Sequence, residues 1–95
     1  VPDALIAVND FTAVGAIRSI QEHSLRIPDD ISIVAFDDTY LASIMEPKLT
    51  SVSYNYRLFG ETLMKNAVAL IQGRDVPQES FIEPKLVIRG SCRMG

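Results

Sequence analysis

Two apolar runs, each broken abruptly by a pair of acidic or amide residues, set the pattern of this chain. The first runs from Leu5 to Val8 and ends at Asn9-Asp10; the second runs from Ile31 to Phe36 and ends at Asp37-Asp38. Between them lies a helix-length segment, Phe11 to His23. Strand, helix, strand, with both strands apolar throughout, predicts a βαβ unit in a parallel sheet covered on both faces. Within the helical segment Val14, Ile17 and Gln21 share one face, and Ala13, Ala16 and Ile20 share the neighbouring one. Asp10 is expected to cap the helix at its start. His23 falls in the last turn, where partial positive charge suits the helix dipole. Ile27-Pro28-Asp29-Asp30 predicts a turn feeding the second strand.

Beyond Asp38 the pattern loses regularity. Thr39 to Met45 predicts a short helix, with Leu41, Ile44 and Met45 apolar and Pro47 as its stop. Leu49 to Val52 predicts a short strand and Tyr54-Asn55-Tyr56 a connector. Arg57 to Gln72 predicts a second long helix, with Phe59, Leu63, Ala67, Leu70 and Ile71 at helical spacing and Gly73 as its left-handed stop. Phe81-Ile82 and Leu86 to Ile88 read as closing strands, and Pro84 marks an edge or a break there. The expected fold class is α/β, an open parallel sheet with flanking helices.

Composition narrows the choice of function. Ninety-five residues make at most one small domain, and 47 % hydrophobic with 22 % charged residues is ordinary globular composition. The net charge is −3 and the Lys and Arg residues are scattered singly, so no nucleic-acid face is visible. No apolar stretch approaches the roughly 20 residues of a membrane span. No signal peptide is expected from the opening Val1-Pro2-Asp3, which says little about the compartment, and the single Cys92 excludes an internal disulfide and weakly fits a reducing compartment.

In open α/β sheets, ligands bind in the crevice outside the carboxyl ends of the strands. Asn9 and Asp37 fall at two such ends, linked by one crossover, and supply a donor–acceptor amide and an acceptor carboxylate. Paired acids also hold Mg²⁺ in phosphotransfer domains, but no glycine-rich phosphate loop, nucleophile elbow or zinc spacing accompanies Asp37-Asp38. If the strand continued, the two acids would point to opposite faces, leaving Asp37 for the crevice and Asp38 for capping the next turn. Tyr56, and beside it Tyr54, offer rings of the kind that stack on the C–H face of a sugar while acids take its hydroxyls. No metal, cofactor or catalytic residue is expected.

The strings PDALIAVNDFTAVGAIRSIQEHSLRIPDDISIVAFDD, PKLTSV, RLFGETLMKNAVALIQG and LVIRGS, in this order, resemble the C-terminal part of lactose-repressor/galactose-repressor (LacI/GalR) family regulators. The resemblance covers essentially the whole chain. It implies a two-lobed core of the periplasmic-binding-protein type (type I), with a small-molecule effector, a sugar or related compound, between the lobes. Residues 1–52 would lie mainly in the C-terminal lobe, 53–80 would form the crossover and a helix of the other lobe, and 81–95 the closing strands. Carried over by position, the effector contacts are Asn9, Asp37 and the aromatic Tyr56, with Tyr54 adjacent. The implied homodimer surface falls on Val14, Ile17, Arg18, Gln21, Leu41, Ile44 and Met45. Serine at Ser24, where many relatives carry glycine, implies a strained left-handed residue after the first helix. The DNA-binding headpiece and opening lobe are expected to lie outside this chain, so operator DNA would be bound only through that headpiece, in the cytoplasm and without a membrane. A periplasmic sugar receptor and a Mg²⁺-dependent phosphotransfer domain are the alternatives.

Overall fold

The computed structural model describes residues 1–94. The elements run β1 (Ala4–Ile6), α1 (Asp10–Glu22), β2 (Ser32–Phe36), α2 (Tyr40–Ile44), β3 (Thr50–Ser53), α3 (Tyr56–Ile71) and β4 (Lys85–Val87). They divide into two compact units: Val1–Ser53 with the segment from Lys85 onward, and Tyr54–Pro84.

The first unit holds one four-stranded sheet in the order β1-β2-β3-β4. β1, β2 and β3 are parallel, and β4 pairs antiparallel with β3, so the sheet is mixed rather than wholly parallel. Phe81-Ile82 is not a strand; pairing begins after Pro84, which has no N–H to give a ladder.

Helix α1 packs on β2 and α2 packs on α1. Ala13, Ile17 and Ile20 from α1 meet Ala7, Ile31, Ile33, Ala35, Ala42 and Leu49 in one core, with Leu25, Ile27 and Met45 against its margin. Fully burying a side chain such as Ile17 is worth about 1.5–3 kcal/mol relative to leaving it exposed. The small residues Ala13, Ala35 and Ala42 are wholly buried and let helix and sheet approach closely.

Both α1 and α2 contribute to that single core, and the opposite sheet face is bare of helices within this unit. Ile6 is 69 % exposed and Val8 71 %, while Val34, Phe36 and Val52, which share the side-chain alternation of Ile6, are half-buried. Apolar composition records what a strand is suited to meet, and in this chain β1 is an edge strand.

The start of α1 also differs from expectation. Asn9, not Asp10, is the N-cap: its Oδ1 accepts the Thr12 N–H at 2.8 Å. Both residue types cap helices well, and Asp10 is drawn inward by partners remote in sequence. The end of α1 follows expectation. Ser24 has φ 60°, its N–H donates to Gln21 O, and Leu25 N–H donates to Ile20 O. This is a Schellman ending with serine in the left-handed position that glycine usually fills. His23 is the C-cap, and its Nδ1 lies 2.7 Å from Ser19 O.

In the second unit Tyr56 is the first residue of α3 rather than part of a connector, because Asn55 takes the N-cap and its Oδ1 accepts Leu58 N–H at 3.0 Å. Gly73, at φ 73°, ends the helix with the same hydrogen-bond pattern as Ser24. Of the sixteen residues in α3 only Ala69 is buried, and Phe59, Leu63 and Met64 remain exposed. Their helical spacing is real, but the unit contains no sheet for them to cover.

Candidate effector site

The sheet register sets the two strands that lead to Asn9 and Asp37 next to each other. Ile6 pairs with Val34, and each candidate lies three residues further along the chain, past the end of its strand. Ala7 N–H donating to Val34 O continues the pairing one step toward them. Both residues are half-buried at the carboxyl edge of adjacent parallel strands, where α/β sheets place ligands. Asn9 uses Oδ1 to cap α1, which leaves its Nδ2 as a donor toward a ligand.

The turn after β2 departs from the expected alternation of acids. Asp37 has φ 103° and Asp38 φ 49°, two successive left-handed residues that are not glycine. The strand stops at Phe36, so the two carboxylates are not directed by the pleat. Such backbone costs on the order of 1–3 kcal/mol per residue and persists only where its surroundings impose it.

Those surroundings are polar and largely buried. Asp37 N–H donates to Val52 O at 2.9 Å. Asp38 N–H donates to Ser51 Oγ at 2.9 Å, and Ser51 Oγ–H in turn donates to Asp10 Oδ1 at 2.8 Å. Asp10 Oδ2 accepts both the backbone N–H of Thr39 at 2.5 Å and its hydroxyl at 2.7 Å. Asp38 does not cap the following turn. Its Oδ1 sits 2.7 Å from Arg89 Nη2 in an ion pair that is charge contact rather than an aligned hydrogen bond. Arg89 Nη1 also donates to Leu49 O at 2.7 Å.

Asp10, Ser51 and Arg89 escaped the reading of the sequence. By local pattern Asp10 is a helix cap, Ser51 a strand residue and Arg89 one of the singly scattered cations. No local spacing links them, because Asp10 lies 29 residues from Thr39 and 41 from Ser51.

Tyr54 and Tyr56 belong to the second unit, where their rings meet edge to face with centroids 6.1 Å apart. Of the implied dimer surface, Arg18, Gln21 and Ile44 are exposed and Val14, Leu41 and Met45 half-buried. Ile17 is corrected: at 1 % exposure it is a core residue packed toward the sheet, and it has no surface to offer a partner. Gln21 Nε2 donates to Glu46 O at 3.2 Å, tying α1 to the segment after α2. No helix among the described residues is long and apolar enough to cross a membrane.

A periplasmic binding protein-like domain is the class that this sheet and its strand-end site define, and the model of that family matches residues 1–92. The chain belongs to the LacI/GalR family of regulators within it. It is 36 % identical over 92 residues to a lactose operon repressor of Rhizobium radiobacter, covering 97 % of this chain and 81 % of that one. Among solved structures, the lac repressor dimer bound to operator and the anti-inducer ONPF superposes with a TM-score of 0.90 at 38 % identity, over 97 % of this chain and 32 % of that one. A transcriptional regulator CelR–cellobiose complex gives 0.88 at 31 %, over 94 % of this chain and 28 % of that one. The chain spans about a quarter of the length of most of the other curated relatives it matches.

Proposed function

We propose that this chain is the effector-sensing and dimerisation part of a LacI-type transcriptional repressor. It binds a small molecule, a sugar or related compound, and thereby controls operator binding by a helix-turn-helix headpiece elsewhere in the parent protein, in the cytoplasm. It needs no cofactor and performs no catalysis. The observation that carries this reading is the position of Asn9 and Asp37 just past the carboxyl ends of two adjacent parallel strands, with Asp37 on a backbone held in an unusual conformation. The Asp37 carboxylate accepts from effector hydroxyls and Asn9 Nδ2 donates to an effector oxygen. Tyr56 and Tyr54 add ring faces, a role that rests on the family resemblance alone. Val14, Arg18, Gln21, Leu41, Ile44 and Met45 form the proposed homodimer surface.

The phosphotransfer alternative is disfavoured because the Asp38 carboxylate is committed to Arg89. The test is titration of the parent protein with lactose, cellobiose and galactose, followed by calorimetry and by the rise in melting temperature that native-state binding requires. Asp37→Asn should retain the fold and lose about 10- to 100-fold in affinity, since hydrogen bonds to a charged group are worth about 1.5–3 kcal/mol each. Wild-type affinity in that variant would remove Asp37 as the anchor.

A further inference from the structure

Three successive backbone amides after β2 are each fixed by a different group. Asp37 N–H is held by Val52 O, Asp38 N–H by Ser51 Oγ, and Thr39 N–H by Asp10 Oδ2. Ser51 Oγ–H donates in turn to the same Asp10 carboxylate, which therefore fastens the turn at two points. Asp10 is fully buried. A carboxylate is withdrawn from water only where hydrogen bonds replace the lost hydration. Capping does not account for it, because Asn9 already caps α1. What its three donors have in common is the Asp37–Thr39 turn.

We infer that Asp10 is a positioning residue for the effector: acting through Thr39 and Ser51, it holds Asp37 in its left-handed conformation before the ligand arrives. Asp10 itself does not touch the effector. Arg89 reinforces the hold from the segment after β4 by pairing with Asp38. A turn ordered in advance spares the ligand the entropy of ordering it, which is the general source of affinity in preorganised sites. This inference rests on the reading of Asp37 as the effector's anchor.

Two measurements separate the inference from that reading. Amide hydrogen exchange reports the turn without any ligand, and calorimetry with lactose, cellobiose and galactose reports affinity. Thr39→Val keeps the side-chain shape and deletes one donor to Asp10; Thr39→Ser restores it; Asp10→Asn replaces an acceptor oxygen with a donor. In Asp10→Asn and Thr39→Val, exchange at Asp38 and Thr39 should accelerate at least about tenfold while the Ile17 and Ile33 amides keep their wild-type rates. Affinity for the sugars that bind wild type should fall about five- to tenfold, and Thr39→Ser should behave as wild type in both measurements. Should Asp10→Asn not fold, Thr39→Val against Thr39→Ser decides the matter. Unchanged exchange at Asp38 and Thr39, acceleration shared equally by Ile17 and Ile33, or a loosened turn with undiminished affinity would each overturn the role of Asp10. If none of the three sugars binds wild type, that choice of effector class fails, and the exchange arm still decides whether Asp10 orders the turn.

Discussion

Helix α1 begins on Asn9, whose Oδ1 accepts the Thr12 amide, and ends on the left-handed Ser24. Helix α3 begins on Asn55, whose Oδ1 accepts the Leu58 amide, and ends on the left-handed Gly73. The two share the same boundary chemistry, and each carries apolar residues at helical spacing. Yet α1 buries Asp10, Ala13, Ile17 and Ile20, whereas α3 buries Ala69 alone. Caps are local devices and work wherever the chain places them. Burial depends on what the rest of the unit supplies: α1 has a sheet, and α3 shares its unit with a loop.

The largest expected effect sharpens that contrast. Ile17→Ala should cost about 2–5 kcal/mol in urea unfolding, the range for a large-to-small change in a packed core. Leu63→Ala, at a position 58 % exposed, should cost less than about 1 kcal/mol. Equal losses would mean that α3 is as well packed in solution as α1. A smaller effect contrasts the two helix ends. Ser24→Gly should stabilise by about 0.5–1 kcal/mol, because serine carries a left-handed penalty that glycine does not. Gly73→Ala should destabilise by about 1 kcal/mol for the same reason reversed. Nothing lies within 4 Å of a methyl group built there, so the loss is conformational and not steric. Melting curves of the two variants should move in opposite directions.

The smallest effect concerns acid. After α1 the turn is closed by Arg26, whose backbone N–H donates to Asp30 Oδ2 at 2.7 Å, and this bond, with the Arg26 side chain, holds the Asp30 carboxyl below its ordinary range. A depressed folded-state value means that the contribution is present above the unfolded pKa, near 3.9, and is lost as pH falls through the folded value. Wild type should therefore exceed Asp30→Asn in urea midpoint at about pH 6, and the gap should close toward about pH 2. A gap independent of pH would assign the turn to shape rather than charge.

Much of this was legible in the residues. The βαβ order, the Gly73 stop and the strand-end placement of Asn9 and Asp37 follow from local rules that a few neighbouring residues satisfy, while the strained Ser24 followed from the family resemblance. Asp10 was not legible, because choosing between two adjacent capping residues needs Thr39 and Ser51, far along the chain. Ile17 was misplaced because a position carried over from a family resemblance does not say which side of the helix meets the sheet in this chain. The left-handed turn was hidden as well: nothing in Asp37-Asp38 announces a conformation that Val52, Ser51 and Asp10 impose from outside. Arg89 shows the same limit, since its partner is fixed only when β4 has been laid beside β3.

Ser91 has a consequence for the timing of synthesis. Its hydroxyl donates to Ile33 O at 2.6 Å and accepts Thr50 N–H at 2.8 Å, while its carbonyl accepts Ile33 N–H at 2.9 Å. One residue near the end of this sequence thus closes backbone groups on two central strands made much earlier. On the ribosome β1, β2 and β3 emerge before it, and domains fold as their parts become available. Until Ser91 clears the exit tunnel, Ile33 and Thr50 must keep water on groups that the finished molecule hides. The sheet of the first unit is thus completed only after Ser91 has been made, well after the strands that it closes.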